Sequence, residues 1–105
     1  MKDSMNVNNI SKSKILKTLG SLKAEARKRF KAEIRGIFGS YVRGKQKKNS
    51  DLDVLVEFEV GANLIDLVGL ALFLEEKLKM KVDVVSESDL REEIKDVILR
   101  EKVAV

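Results

Sequence analysis

The spacing of apolar residues changes several times along the chain, and each change marks an element. Ile15, Leu19, Leu22, Ala26 and Phe30 recur at steps of four, three, four and four, the rhythm of one helix face, with lysines and arginines on the other faces. Ser11 or Ser13 supplies the cap. Residues 34–38 form a short apolar run that reads as a first strand, in which Gly36 leaves room for another backbone or a ligand. In a second run, 52–58, Leu52, Val54, Val56 and Phe58 alternate with Asp53, Leu55 and Glu57. That period of two is a strand's, and it sends Asp51 and Asp53 to one face. Residues 60–63 connect to a strongly apolar helix over 64–79 with Asn63 as its cap. Its predicted inward stripe is Leu64, Leu67, Val68, Ala71, Leu74 and Leu78, which leaves Leu70, Leu72 and Phe73 as surplus apolar surface for a partner or an oligomer contact. A third strand over 82–85 turns Asp83 and Val85 away from Val82 and Val84, so Asp83 can share a face with Asp51 and Asp53. Ser86-x-x-Asp89 has the form of a capping box opening a last helix, with Leu90, Ile94, Val97 and Ile98 inward. Residues 1–10 are polar and without period, a frayed end, and residues 101–105 carry no signal.

Composition narrows the chemistry that these elements can carry. A chain of 105 residues makes one domain with one core. It contains no cysteine and no histidine, which excludes disulfides, thiolate chemistry, the usual zinc ligand sets and a histidine general base. Proton transfer falls to carboxylates, lysine, tyrosine or water, and a metal would have oxygen ligands. No apolar stretch reaches the roughly 18 residues of a membrane span, and the N-terminus lacks the apolar core of a signal peptide, so the expected location is the cytoplasm without a membrane partner. The net charge of +4 is unevenly spread: residues 1–50 carry 14 Lys/Arg against three acids, residues 51–105 seven against 14. A basic half beside a carboxylate cluster suits a triphosphate, and equally nucleic acid or an acidic partner face. The basic run 27–31 flanks a core-periodic phenylalanine with no further aromatic to stack a base, so it reads as a solvated helix face and not as a nucleic-acid patch.

The chemistry converges on residues 39–53. Gly39-Ser40 follows the first strand, so a glycine ends a strand and a serine hydroxyl opens a turn whose backbone N–H groups can approach a phosphate. Residues 41–43 form one helical turn closed by Gly44, and 45–49 are a polar loop. Arg43 is the better phosphate ligand here because a guanidinium holds two oxygens in a fixed fork; the loop lysines are as well explained by solubility. Asp51 and Asp53, side by side, repel unless a cation lies between them, and Mg²⁺ is commonly bound by one or two carboxylates plus phosphate oxygens.

Gly39-Ser40, ten residues, then Asp51-x-Asp53 resembles the signature of the nucleotidyltransferase superfamily that includes DNA polymerase beta, and the short chain looks like its minimal members. The family commonly has a small residue where this chain has Val42. The resemblance implies an α+β fold with a mostly antiparallel or mixed sheet of three or more strands flanked by helices. It implies Asp51, Asp53 and Asp83 as catalytic carboxylates and ligands of two Mg²⁺ ions, with Gly39, Ser40 and Arg43 on the phosphates of ATP. It further implies transfer of AMP to a hydroxyl, most simply a tyrosine of a HEPN-type ribonuclease toxin for which the protein is the antitoxin. Two other readings stay open: a binding module that sequesters such a toxin without turnover, and transfer to a small molecule or an RNA end.

Overall fold

The computed structural model describes residues 11–47 and 49–105, so the expected frayed end at 1–10 and Lys48 of the polar loop lie outside the described residues. Helix α1 (Lys12–Phe30) leads into strand β1 (Ala32–Phe38), a single turn α2 (Ser40–Arg43), β2 (Leu52–Phe58), α3 (Leu64–Leu78), β3 (Val82–Ser86), a 3-10 turn (Glu87–Asp89), α4 (Glu92–Glu101) and β4 (Val103–Ala104). Ser11 caps α1, its hydroxyl accepting from the Lys14 amide at 3.2 Å. The helix stops where Lys31 adopts a left-handed conformation, φ 57°, whose N–H returns to carbonyls of the last turn.

The four strands stand in the order β3-β2-β1-β4. Strands β1 and β2 are antiparallel, β2 and β3 parallel, and β4 runs antiparallel along the free edge of β1, so the sheet is mixed. One face carries Ile34, Ile37, Leu52, Val54, Val56 and Val82 into a cluster with Ile15, Leu19, Leu22 and Ala26 of α1 and Leu70, Phe73, Leu74 and Leu78 of α3. The two helices approach closely at Gly69, where a Cβ would stand 2.8 Å from the Phe30 ring, and Phe30 and Phe73 meet with centroids 5.4 Å apart. The opposite face holds the chemistry.

Three features differ from the periodic reading. Strand β1 has a bulge at Arg35: Ile34 pairs with Val56 and Gly36 with Leu55, and the inserted residue brings Ile34 and Ile37 to the same face. In α3 the buried seam is Leu70, Phe73, Leu74 and Leu78, while Leu64, Ile65, Val68 and Leu72 are exposed. Leu74 and Leu78 face inward and Leu72 outward as expected, but Leu70 and Phe73 are core and Leu64 and Val68 are surface, the reverse of the expected stripe. Ser86 makes no capping bond; its hydroxyl lies 3.1 Å from that of Ser88, and the chain takes a 3-10 turn before α4 begins at Glu92. The capping box belongs instead to α3, where Asn63 and Asp66 exchange side-chain and backbone bonds.

The C-terminal residues, silent in sequence, complete the sheet. Gly36 is the reason they fit: a Cβ there would run into the backbone of Val103. Val105 N–H donates to the Arg35 carbonyl at 3.1 Å, and Lys23 Nζ donates to the Val105 carbonyl at 3.3 Å. Helix α4 buries none of its residues fully, and Ile94 and Val97, expected inward, are exposed because the helix is laid over the molecule without a core seam of its own; β4, which follows it directly, joins its end to the sheet.

Candidate active site

Strand pairing gathers the acidic residues. Asp53 lies between Phe38 of β1 and Asp83 of β3 in the cross-strand register, and residues paired in this way share a face. The two strands that carry the acids start together: Leu52 N–H donates to the Lys81 carbonyl at 2.9 Å, and Glu75 of α3 accepts the Val82 N–H at 3.0 Å. A core helix therefore fixes the first residue of β3 and, one residue on, the place of Asp83.

Asp53 and Asp83 lie close enough for one carboxyl to bond the other when a proton is present, and Asp51 stands near enough to act on both Asp53 and Tyr41 through its charge. Asp53 is pushed up to about 6, first by burial, then by the charges of Asp83 and Asp51, with the Arg43 guanidinium opposing. Asp83 is exposed and Asp53 half-buried; two like charges held side by side, one of them partly out of water, cost free energy, and either a proton or a cation relieves it. Asp51 precedes β2 and is exposed. Among the described residues no group of three His, Cys, Asp or Glu side chains is gathered closely enough to hold an ion. The fold thus builds a carboxylate pair, Asp53 and Asp83, with a third carboxylate beside it. An all-oxygen pair carrying unrelieved negative charge fits a hard cation that takes its remaining ligands from water and phosphate.

Gly39 lies against Asp53. Its φ of 81° and ψ of −150° lie where side chains are strained, and a Cβ would collide with the Asp53 carboxylate. Ser40 follows as the first residue of α2. The Gly39 carbonyl accepts from the amides of Val42 and Arg43 at 3.0 and 3.1 Å, which leaves the amides of Ser40 and Tyr41 as the ones with no backbone acceptor in this turn. Gly44, φ 72°, closes the turn in the left-handed region as expected. Tyr41 is buried in the core, and burial, followed by the Asp51 charge, pushes its hydroxyl up. Val42 packs against the same core.

Arg43 sits at the end of the turn, half exposed, with Nη1 donating to Glu101 Oε1 of α4 at 3.0 Å. Nothing in the local sequence pointed to this partner 58 positions away. Lys45 and Lys47 are exposed. Two arginines of the basic run before β1 are matched by acids: Arg27 lies 3.6 Å from Glu33 and 3.8 Å from Glu59, while Arg29 bonds Glu25 at 2.9 Å and lies over the Phe30 and Phe73 rings. No helix among the described residues is long and apolar enough to cross a membrane.

Comparison with known proteins identifies the family and the fold. The family of nucleotidyltransferase domains matches residues 13–105. The protein adenylyltransferase MntA of Thermococcus cleftensis is 45% identical over 83 residues, 79% of this chain and 84% of that protein. A solved structure described as a candidate minimal nucleotidyltransferase superposes with a TM-score of 0.70 at 38% identity, over 86% of this chain and 95% of that one. A crystal structure of a toxin-antitoxin with AMP-PNP contains a chain similar at a TM-score of 0.55 and 29% identity, over 78% of this chain and 61% of the other. The mixed sheet flanked by helices is thus that of a known fold, and the chain belongs to the nucleotidyltransferase-domain family as a minimal nucleotidyltransferase.

Proposed function

We propose that this protein transfers AMP from ATP, with Mg²⁺, to a tyrosine hydroxyl of a HEPN-type toxin and so acts as its antitoxin. The observation that carries the reading is the in-register pair Asp53 and Asp83, with Asp53 set directly against Gly39 of the Gly39-Ser40 turn. The names of similar proteins, a protein adenylyltransferase and a toxin-antitoxin with an ATP analogue, support both the reaction and the kind of partner.

Asp53 and Asp83 would hold the metal, with Asp51 completing the set for a second ion. Metal bound there supplies charge neutralisation on the phosphates and eases deprotonation of the attacking hydroxyl. The chain's own residues do the positioning. Ser40 and the free amides of Ser40 and Tyr41 hold terminal phosphate oxygens, and Arg43 adds a directed positive charge at the end of the turn. Asp83, on the strand next to Asp53, draws the proton from the incoming phenol, whose ordinary pKa near 10 makes such help useful. The hydroxyl oxygen then bonds the α-phosphorus, the bond to the bridging oxygen breaks, and pyrophosphate leaves with its electron pair.

The test is intact-mass measurement of the partner toxin co-expressed with this protein. The partner gains one or more AMP units with the parent protein, and the adduct is absent with Asp53→Asn and when the partner's tyrosine is replaced by phenylalanine. A stable complex without adduct would establish a sequestering module instead, and no complex would return a small molecule or an RNA end as acceptor.

A further inference from the structure

Arg43 stands where two parts of the molecule meet. Its backbone belongs to the turn after Gly39, and its charge reaches Asp53, yet its side chain is bonded to α4, an element that buries none of its own residues fully. Helix α4 is held from its far end by β4, whose two residues pair with Gly36 and Ile37 of β1. Glu101, the last residue of α4, is therefore anchored by the sheet edge and presented to Arg43 from the side.

A guanidinium carries five N–H donors in a rigid plane, so engaging one end leaves the other available in a fixed orientation. The contact described is through Nη1 alone, 3.0 Å from Glu101 Oε1. An arginine held in this way has already lost much of the side-chain freedom that binding a phosphate would cost it.

From this geometry we infer that Glu101 is a positioning residue for nucleotide binding: it holds one end of the Arg43 fork so that the other end meets the triphosphate. The inference rests on the proposed role of Arg43 at the phosphates. It assigns to the C-terminal helix and strand, which lie outside the glycine-serine and aspartate motifs, the task of setting affinity for the phosphate chain. A carboxylate competing with phosphate for the same arginine would act in the opposite direction, and the two are separable by experiment.

Affinity is measured by titration of the full chain with Mg²⁺ and a non-cleavable α,β-methylene ATP analogue, and separately with AMP, for Glu101→Ala, Glu101→Gln, Arg43→Ala and the double variant Arg43→Ala/Glu101→Ala. Exposed ion pairs are worth up to about a factor of five in an equilibrium constant. Glu101→Ala weakens the analogue by about three- to fivefold, and Glu101→Gln, which keeps an acceptor oxygen, by less. The double variant binds no more weakly than Arg43→Ala, and AMP affinity is unchanged throughout. A loss of folding alone would lower both ligands together and would not vanish in the Arg43→Ala background.

Tighter binding by Glu101→Ala would show a competitor and overturn the inference. So would an equal loss with Arg43 already removed, or no effect of Glu101→Ala where Arg43→Ala is impaired. If Arg43→Ala binds the analogue like the parent, the phosphate role of Arg43 itself fails, and the positioning role with it. If Glu101→Ala does not fold, Glu101→Gln carries the test: it must weaken the analogue and leave AMP unchanged, or the inference falls.

Discussion

Replacing Asp53 by asparagine should stabilise the metal-free protein above neutral pH while abolishing transfer. The Asp53 carboxyl is raised from 3.8 to about 6, so the folded chain binds its proton more tightly than the unfolded chain does. Stability contributed by that proton is fully present below about pH 4 and is lost as pH rises through about 6. Two pKa units correspond to about 3 kcal/mol at full strength. Asp53 is only half buried, and solvent screening reduces the net effect to about 1 kcal/mol. Asparagine has the same shape, carries no charge and donates to the neighbouring Asp83 carboxylate, so it escapes the penalty. For a domain of this size 1 kcal/mol moves Tm by about 4–8 °C. Thermal unfolding followed by circular dichroism in EDTA should show the variant above the parent by about that much at pH 8, and level with it at pH 4. Adding Mg²⁺ should raise the parent's Tm and leave the variant's nearly unchanged, because a ligand stabilises only the state that binds it. A variant less stable than the parent at pH 8, or a difference of equal size at both pH values, would refute the like-charge account of the pair.

Gly39→Ala forces a side chain into a left-handed backbone and onto the Asp53 carboxylate, and should cost at least about 1–2 kcal/mol together with all measurable transfer, read by thermal unfolding and by labelled-ATP assay. Ser40→Ala and Arg43→Ala should each weaken ATP more than the combined change of Lys45, Lys47 and Lys48 to alanine, by equilibrium titration at physiological salt, since Lys45 and Lys47 are exposed and such charges are screened over roughly 8 Å. Ile65→Ser/Val68→Ser, on the exposed side of α3, should leave Tm within about 2 °C and weaken capture of the partner in a pull-down; unchanged capture would free that face of a binding role.

Different physical signals explain which parts of this molecule could be read from its sequence. The second strand and its aspartates were legible because alternation along a strand is strict and the glycine-serine turn stands at a fixed spacing upstream. Helix α1 was legible because only one of its faces is apolar. Helix α3 was misread on its inward side because apolar residues surround so much of it that several stripes fit equally well, and only packing against Phe30 and the sheet chooses among them. The bulge at Arg35 is a property of the β1–β2 pairing, which one strand's sequence does not contain. Strand β4 is two residues long and has no period to detect, although Gly36 already left a space for its backbone. Ser86 carried a capping pattern, but the chain leaves β3 through a 3-10 turn, and α4 starts at Glu92 without a side-chain cap. Of the site, the pairing of Asp53 with Asp83 follows from strand parity and register, Asp51 is not gathered with them into a close group of three, and the Arg43 contact with Glu101 depends on how α4 returns to the sheet.

A purified system decides whether Asp53 and Asp83 form a metal-dependent transfer site acting on a protein hydroxyl. Parent, Asp53→Asn and Asp83→Asn proteins, each shown to be folded, are incubated with the partner toxin, Mg²⁺ and ATP labelled at the α-phosphate, and label on the partner is followed over time. The account predicts label on a partner tyrosine with the parent alone, and none for either variant or for the parent in EDTA. Transfer by Asp83→Asn or Asp53→Asn within a few-fold of the parent would contradict it.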